Sequence, residues 1–329
     1  MILVMGPFQG LGAGDHGASF LEIGVGARAL GMGGTFAGFA DDGTAFYWNP
    51  AGLAWIQKIT ISGMYGPQFG TLKNPLGNYH FIGIAQPLPG NAVLSVNWIR
   101  FAVDDIPVYS DLGDHTTWDR IHDRSLRPSG EPEGWIQDIE DAVFFSFAKM
   151  NRFVLDLGWQ YHSMGVEMPF GINLKWIRQN LGSGEASGLG LDAGLMLRLN
   201  LAEFFEFKKL GWIGWGVHFQ DATGTRLSWN TKHQDRVPMN VKWGISVLQP
   251  IFARHSVRIS YDRDSRWGGK NRFGLEYQGF DILGLRLGVD EGRLTAGAGL
   301  SYRGVQVEYA WLSHELNSLH RVSCSFRFK

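Results

Sequence analysis

Apolar and polar residues alternate with period two over most of the chain after about residue 58, and this pattern limits the fold more than any other feature. Between residues 189 and 199, Leu189, Leu191, Ala193, Leu195, Leu197 and Leu199 alternate with Gly190, Asp192, Gly194, Met196 and Arg198. An extended strand sends successive side chains to opposite faces, so one face of this segment is apolar and the other small or charged. The same phase recurs at Val257, Ile259 and Tyr261, at Val305, Val307, Tyr309 and Trp311, and at Val322, Cys324, Phe326 and Phe328. A soluble sandwich also alternates but buries its apolar face in a shared core; here the pattern runs almost to the C-terminus.

Fourteen segments carry the pattern: 59–65, 79–86, 92–101, 142–149, 169–179, 189–199, 212–220, 241–248, 257–262, 272–278, 282–289, 294–302, 305–312 and 321–328. A fifteenth, 153–161, would give an odd count, whereas bacterial single-chain barrels have an even one. Residues 150–168 are therefore read as a connection carrying local β structure. The connections 87–91, 279–281 and 303–304 are tight, whereas 102–141, 221–239 and 262–271 are long and polar, which is the two-sided asymmetry of a membrane barrel. Composition agrees: 45 glycines, 13 tryptophans and 22 phenylalanines accompany only 19% charged residues, more glycine and aromatic than a soluble domain carries. No apolar run approaches the roughly 18 residues of a membrane helix. The expected fold is all-β, a 14-stranded antiparallel transmembrane β-barrel.

Residues 24–54 break the pattern. This stretch is glycine-rich, apolar and compact, with Gly31, Gly33 and Gly34 close together, and it ends in Asn49-Pro50-Ala51. Glycine lets a backbone turn tightly and lie flat against a wall. The chain therefore divides into an N-terminal lead and plug (hatch), residues 1–54, held in the lumen, and a transmembrane barrel with long extracellular loops, residues 55–329. Residues 1–14 are apolar with no positive charge ahead of Asp15, so no signal-peptide pattern is visible, and export is inferred from the barrel.

Charges on the polar phase must face the lumen, because on the lipid face each would cost about 2–4 kcal/mol at the bilayer midplane. Asp192, Arg198, Arg258, Glu276, Arg286 and Glu308 lie there, together with Asp262, Arg321 and Arg327. They read either as a paired network stiffening the wall or as a conduction or binding path. Arg28 with Asp41 and Asp42 reads either as ion pairs seating the plug or as ligand contacts. The long connection carries Trp118, Trp135 and Ile136 among charges, and a second loop carries Trp229. Aromatic anchors in a polar surround are the mix of protein-binding hot spots, so these four residues are the candidate partner-binding surface. His115 and His122 with neighbouring carboxylates show no compact ligand spacing, so no metal site is expected. No cofactor motif and no catalytic constellation stands out, so the chain is not expected to be an enzyme. The formal net charge of -1 gives no field for nucleic acid.

The segment Gly26-Ala27-Arg28-Ala29-Leu30-Gly31-Met32-Gly33-Gly34, with Asp41-Asp42 and Asn49-Pro50-Ala51-Gly52-Leu53, resembles the N-terminal motif of the PorV/PorQ family of outer-membrane barrels, a branch of the FadL-like group. The lead-in 20–24, the strand 171–179 and the loop around Trp229-Asn230 look similar too. The resemblance implies residence in the outer membrane of a Gram-negative bacterium, contact with its lipid, and a role in type IX secretion or surface scaffolding. In that role outer loops bind a protein partner or secreted cargo. The alternative is a FadL-like channel for hydrophobic small molecules, with a hydrophobic ligand in the lumen.

Overall fold

The computed structural model describes residues 17–71, 74–109, 115–124, 132–156, 158 and 163–328; the apolar lead 1–14 lies outside them, as do parts of the long connection. From residue 60 the described chain is almost entirely strand. The first staves are β1 (Thr60–Thr71), β2 (Asn74–Leu88), β3 (Ala92–Val108) and β4 (Gly134–Lys149). A short hairpin, β5 (Arg152–Asp156) and β6 (Ser163–Glu167), precedes β7 (Phe170–Leu181), β8 (Gly184–Asn200) and β9 (Trp212–Gln220). A second hairpin, β10 (Thr225–Trp229) and β11 (Gln234–Val237), precedes β12 (Asn240–Phe252) and β13 (His255–Asp264). Then follow β14 (Lys270–Gly279), β15 (Leu283–Asp290), β16 (Arg293–Tyr302), β17 (Val305–Leu312) and β18 (Leu319–Arg327).

Each stave pairs antiparallel with the next, and β1 pairs with β18, so fourteen strands close into a ring: β1 to β4, β7 to β9 and β12 to β18. All fourteen expected segments are staves, and the expected connection 150–168 contains the β5–β6 hairpin. Closure leaves the sheet without a free edge, which lipid requires.

The alternation fixes which side faces out. On β15, Leu285 and Leu287 are 46% and 59% exposed, while Arg286 between them is 5% exposed. Leu191, Val307 and Phe326 are likewise exposed, whereas Asp192 and Glu308 are buried. An apolar exterior around a charged interior inverts a water-soluble protein and suits a bilayer.

The long connections differ from expectation. Residues 102–141 are not one structureless loop: β3 runs on to Val108 and β4 starts at Gly134, with Val108 paired to Gly134 across a bulge between Val103 and Ile106. The remainder includes α3 (Thr117–His122), whose N-terminus is closed by a capping box between Thr116 and Asp119. In 221–239 the β10–β11 hairpin leans on β8 through Ser228 opposite Ser187 and Trp229 opposite Ala186. The bulge interrupts the period of β3, and the backbone ladder resumes beyond it from Ile106 opposite Ile136.

Candidate functional site: the occupied lumen and its vestibule

The segment before β1 packs against staves all round the ring. It contains a 3-10 turn at Ser19–Glu22, α1 (Ala27–Gly31), α2 (Ala45–Trp48) and a 3-10 helix at Pro50–Trp55. Its elements are too short to bury a face of their own, and the wall supplies the rest. Contact is made backbone to backbone. A Cβ added to Gly31 would come within 3.0 Å of Gly297 Cα, and one on Gly33 within 2.9 Å of the Val289 backbone. Gly33 and Gly34 also hold φ of 68° and 76°, a left-handed turn that a side chain would strain. Inward glycines of the wall, Gly171, Gly216 and Gly288 among them, leave the space that this backbone fills.

The Asn49-Pro50-Ala51 motif has a local explanation. Asn49 is extended, its side-chain oxygen accepts from Ala51 N at 3.2 Å, and Pro50 starts the 3-10 helix, where a missing N–H costs nothing. Its amide nitrogen donates to Ala37 O at 3.0 Å and to Leu195 O and Val217 O on β8 and β9 at 3.3 Å. One side chain thus caps a turn, ties two parts of the segment together and fastens both to the wall.

The expected lumen charges gather around Arg28. It grips Glu276 bidentately at 2.8 and 3.0 Å and donates to Asp41, with Asp42 at 3.4 Å. Arg286 bonds the same Glu276 at 2.9 Å and continues to Glu308, while Arg258 reaches Asp41 at 3.4 Å and stacks 4.0 Å over Phe39. Burial pushes the Asp41 carboxyl up, but the Arg28 and Arg258 guanidinium groups outweigh it and hold the carboxyl below its usual range. Asp192 and Arg198 lie outside this cluster. Asp192 is bonded by Lys175 at 2.8 Å, and Arg198 pairs with Glu167 at 3.2 Å and stacks over Trp212.

Sequence reasoning missed a second layer above the segment. Lys175 bridges Asp192 and Asp221, Arg266 joins Asp221 to Glu22, and Arg272 joins Asp264 to Asp290. These charges surround a cavity of about 70 Å³ roofing Tyr47 and Trp48. The signal was present at Lys175, which shares the inward phase with Gly171 and Asn173. Asp262 has an added role, accepting the Phe36 and Ala37 amides at 2.8 and 2.7 Å.

The four candidate partner-binding residues sit on three elements, α3, β4 and β10. Trp118 is 68% exposed on α3, stacked on His122, and Trp135 stands on the extended β4. Ile136 packs beside Gly182, and Trp229 lies over Gly184 with its indole donating to Asp235 at 2.7 Å. Trp229 is thereby spent on holding the β10–β11 hairpin.

Along the barrel axis the free space is uneven. At the end carrying the long loops, a vestibule of about 490 Å³ opens between Phe69, Leu76, Phe101, Val103, Leu312 and Leu319 on its apolar side and Lys270, Arg272, Arg293 and Arg321 on its charged side. Below it come the charged 70 Å³ cavity and a 30 Å³ gap between the segment and β1 and β18. At the other end lies a polar cleft of about 790 Å³ under Asp41, Asp42 and Trp55.

No family model matches the chain, and neither does any curated protein. Among solved structures, the chain is similar in fold to the Ralstonia pickettii toluene transporter TbuX, at 13% identity with a TM-score of 0.51 over 93% of this chain and 99% of that one. The Pseudomonas putida toluene transporter TodX, at 12% identity, matches over the same shares with a TM-score of 0.51. A deltaS2S3 mutant of the TodX monoaromatic hydrocarbon channel, also at 12% identity and the same coverage, reaches 0.53. At these identities the likeness is one of fold alone.

Proposed function

We propose that the chain is a passive outer-membrane channel of a Gram-negative bacterium for small hydrophobic molecules, with residues 17–55 acting as its hatch and residues 60–328 as the barrel. The apolar vestibule above a charged, filled lumen carries this reading. A pore for hydrophilic solutes needs an open polar lumen, whereas a greasy basin that ends on ion pairs collects apolar molecules and gives water no path. The fold shared with hydrocarbon transporters supports the same reading. The PorV/PorQ reading expected from the sequence, with cargo or a protein partner at the loops, has less behind it: its premise was a long structureless loop, and much of 102–141 is strand or helix.

The test is uptake of radiolabelled alkylbenzene by proteoliposomes, alongside planar-bilayer conductance. The expected outcome is saturable alkylbenzene entry with little ion conductance. Entry no faster than in protein-free vesicles, together with recovery of a stoichiometric protein partner in mild detergent, would replace this reading with the scaffolding one.

A further inference from the structure

Arg321 is 1% exposed, lines the vestibule and has no carboxylate within 4 Å among the described residues. The other buried cations are matched: Lys175 with Asp192, Lys242 with Asp264, and Arg286 with Glu276. The acids lining the vestibule are also engaged, Asp290 by Arg272, Glu291 by Lys270 and Glu22 by Arg266. Arg321 donates only through one terminal nitrogen, to Pro67 O at 2.9 Å and His320 O at 3.0 Å, and its Nε has no partner.

The local backbone explains how it came to lie there. The β1–β18 ladder runs from Thr60 opposite Arg327 to Tyr65 opposite Val322 and then stops. Continued in register, Gly66 would face Arg321 and Pro67 would face His320. Pro67 has no N–H to donate, so the seam opens. Gly66 has no side chain, and the Arg321 stem lies across it, so close that a Cβ there would come within 2.7 Å of Arg321 Cδ. Tyr79, the β2 partner of Gly66, is fully buried with an unpartnered hydroxyl. Of these two unsatisfied donors, Arg321 lines the apolar basin. Leaving a buried guanidinium without a counter-charge is costly unless something supplies one.

We propose that Arg321 is the oxyanion-binding residue of the vestibule, so that the preferred solute is amphipathic: an aryl or alkyl body against Phe69, Phe101 and Leu312, and a carboxylate head on the guanidinium. This rests on the vestibule being a solute site. A carboxylate accepts from the planar guanidinium fork with short, charge-assisted bonds that a neutral head cannot match.

The experiment compares 4-butylbenzoate with the neutral 4-butylbenzamide, binding each to the purified full chain in detergent and following tryptophan quenching at neutral pH. The wild type is expected to bind the benzoate about tenfold or more tighter. In Arg321→Met the preference should fall to within about twofold while amide affinity holds, and Arg321→Lys should keep part of it. Equal affinities in the wild type, or an unchanged preference in a folded Arg321→Met, overturn the proposal. Should Arg321→Met fail to fold, wild-type crystals soaked with 4-bromobenzoate decide: the carboxylate lies on Arg321, or it lies elsewhere and the proposal falls. Amide bound as well as benzoate removes this inference but leaves the channel reading standing; neither probe bound removes both.

Discussion

Two arginines buried in the same lumen live in opposite circumstances. Arg28 is enclosed by Glu276, Asp41 and Asp42 and shares Glu276 with Arg258 and Arg286. Arg321 has two carbonyl oxygens and an open side toward an apolar basin. The first charge is consumed in holding the inner segment to β13, β14 and β15. The second does the work of a missing stretch of ladder and keeps donors to spare. A buried charge that is fully matched is structural, whereas one left short of partners marks a place where another molecule can complete the set.

The largest effect should come from the matched side. Arg28→Met leaves Glu276 and Asp41 short of their counter-charge, and is expected to cost about 3–5 kcal/mol in denaturant unfolding and to raise planar-bilayer conductance as the segment loosens. If stability falls but conductance does not, the segment blocks the lumen without this anchor. Next is the basin itself: Phe69→Ala removes an aromatic wall and should weaken alkylbenzene binding about tenfold, leaving the unfolding transition nearly unchanged. Unaltered affinity would move the solute site away from the vestibule.

A smaller effect concerns pH. The Asp41 carboxyl is held below its ordinary value, so its contribution is complete above about pH 4 and is lost only as pH falls through the lower folded-state value. The part of segment seating that depends on Asp41, read as the difference in protease protection of residues 24–54 between wild type and Asp41→Asn, should therefore be flat from about pH 8 to 5 and shrink only in stronger acid. A decline centred near neutrality would assign the linkage to another group. The smallest effect should be Pro67→Ala, which restores an N–H to the open seam. Stability is expected to change by less than about 1 kcal/mol, while amide exchange at Gly66–Gln68 slows if the ladder extends. Unchanged exchange would show that Arg321, and not Pro67, keeps the strands apart.

Much of this was legible before any coordinates. The strands were readable because lipid outside and charge inside impose period two, so Leu285, Arg286 and Leu287 declare their faces unaided. The close backbone contacts of the glycine-dense stretch 24–54 were foreshadowed by its lack of helix or strand period, since such a segment needs a wall to lie on. The ends of β3, β4 and β8 were not readable, since the bulge at Asp104-Asp105 breaks the period of β3, and Asp138 and Gly184 interrupt the apolar alternation on β4 and β8. Nor could the seat of Trp229 over Gly184 be read, because the two meet only through the fold.

What the sequence determined by itself is local and periodic: strand count, facing, the tight turns, and the capped turn at Asn49 and Pro50. Pairing of charges is different. Arg28 and Glu276 are 248 residues apart, and Gly31 meets Gly297 across the wall. Ring closure decided those meetings, because bringing β18 back to β1 sets which inward side chains share a level. The same closure stopped at Tyr65 and Val322 and left Arg321 beside the basin. Period two says only that a residue faces inward; the tertiary structure decides whom it faces, because that depends on the register of every stave between them.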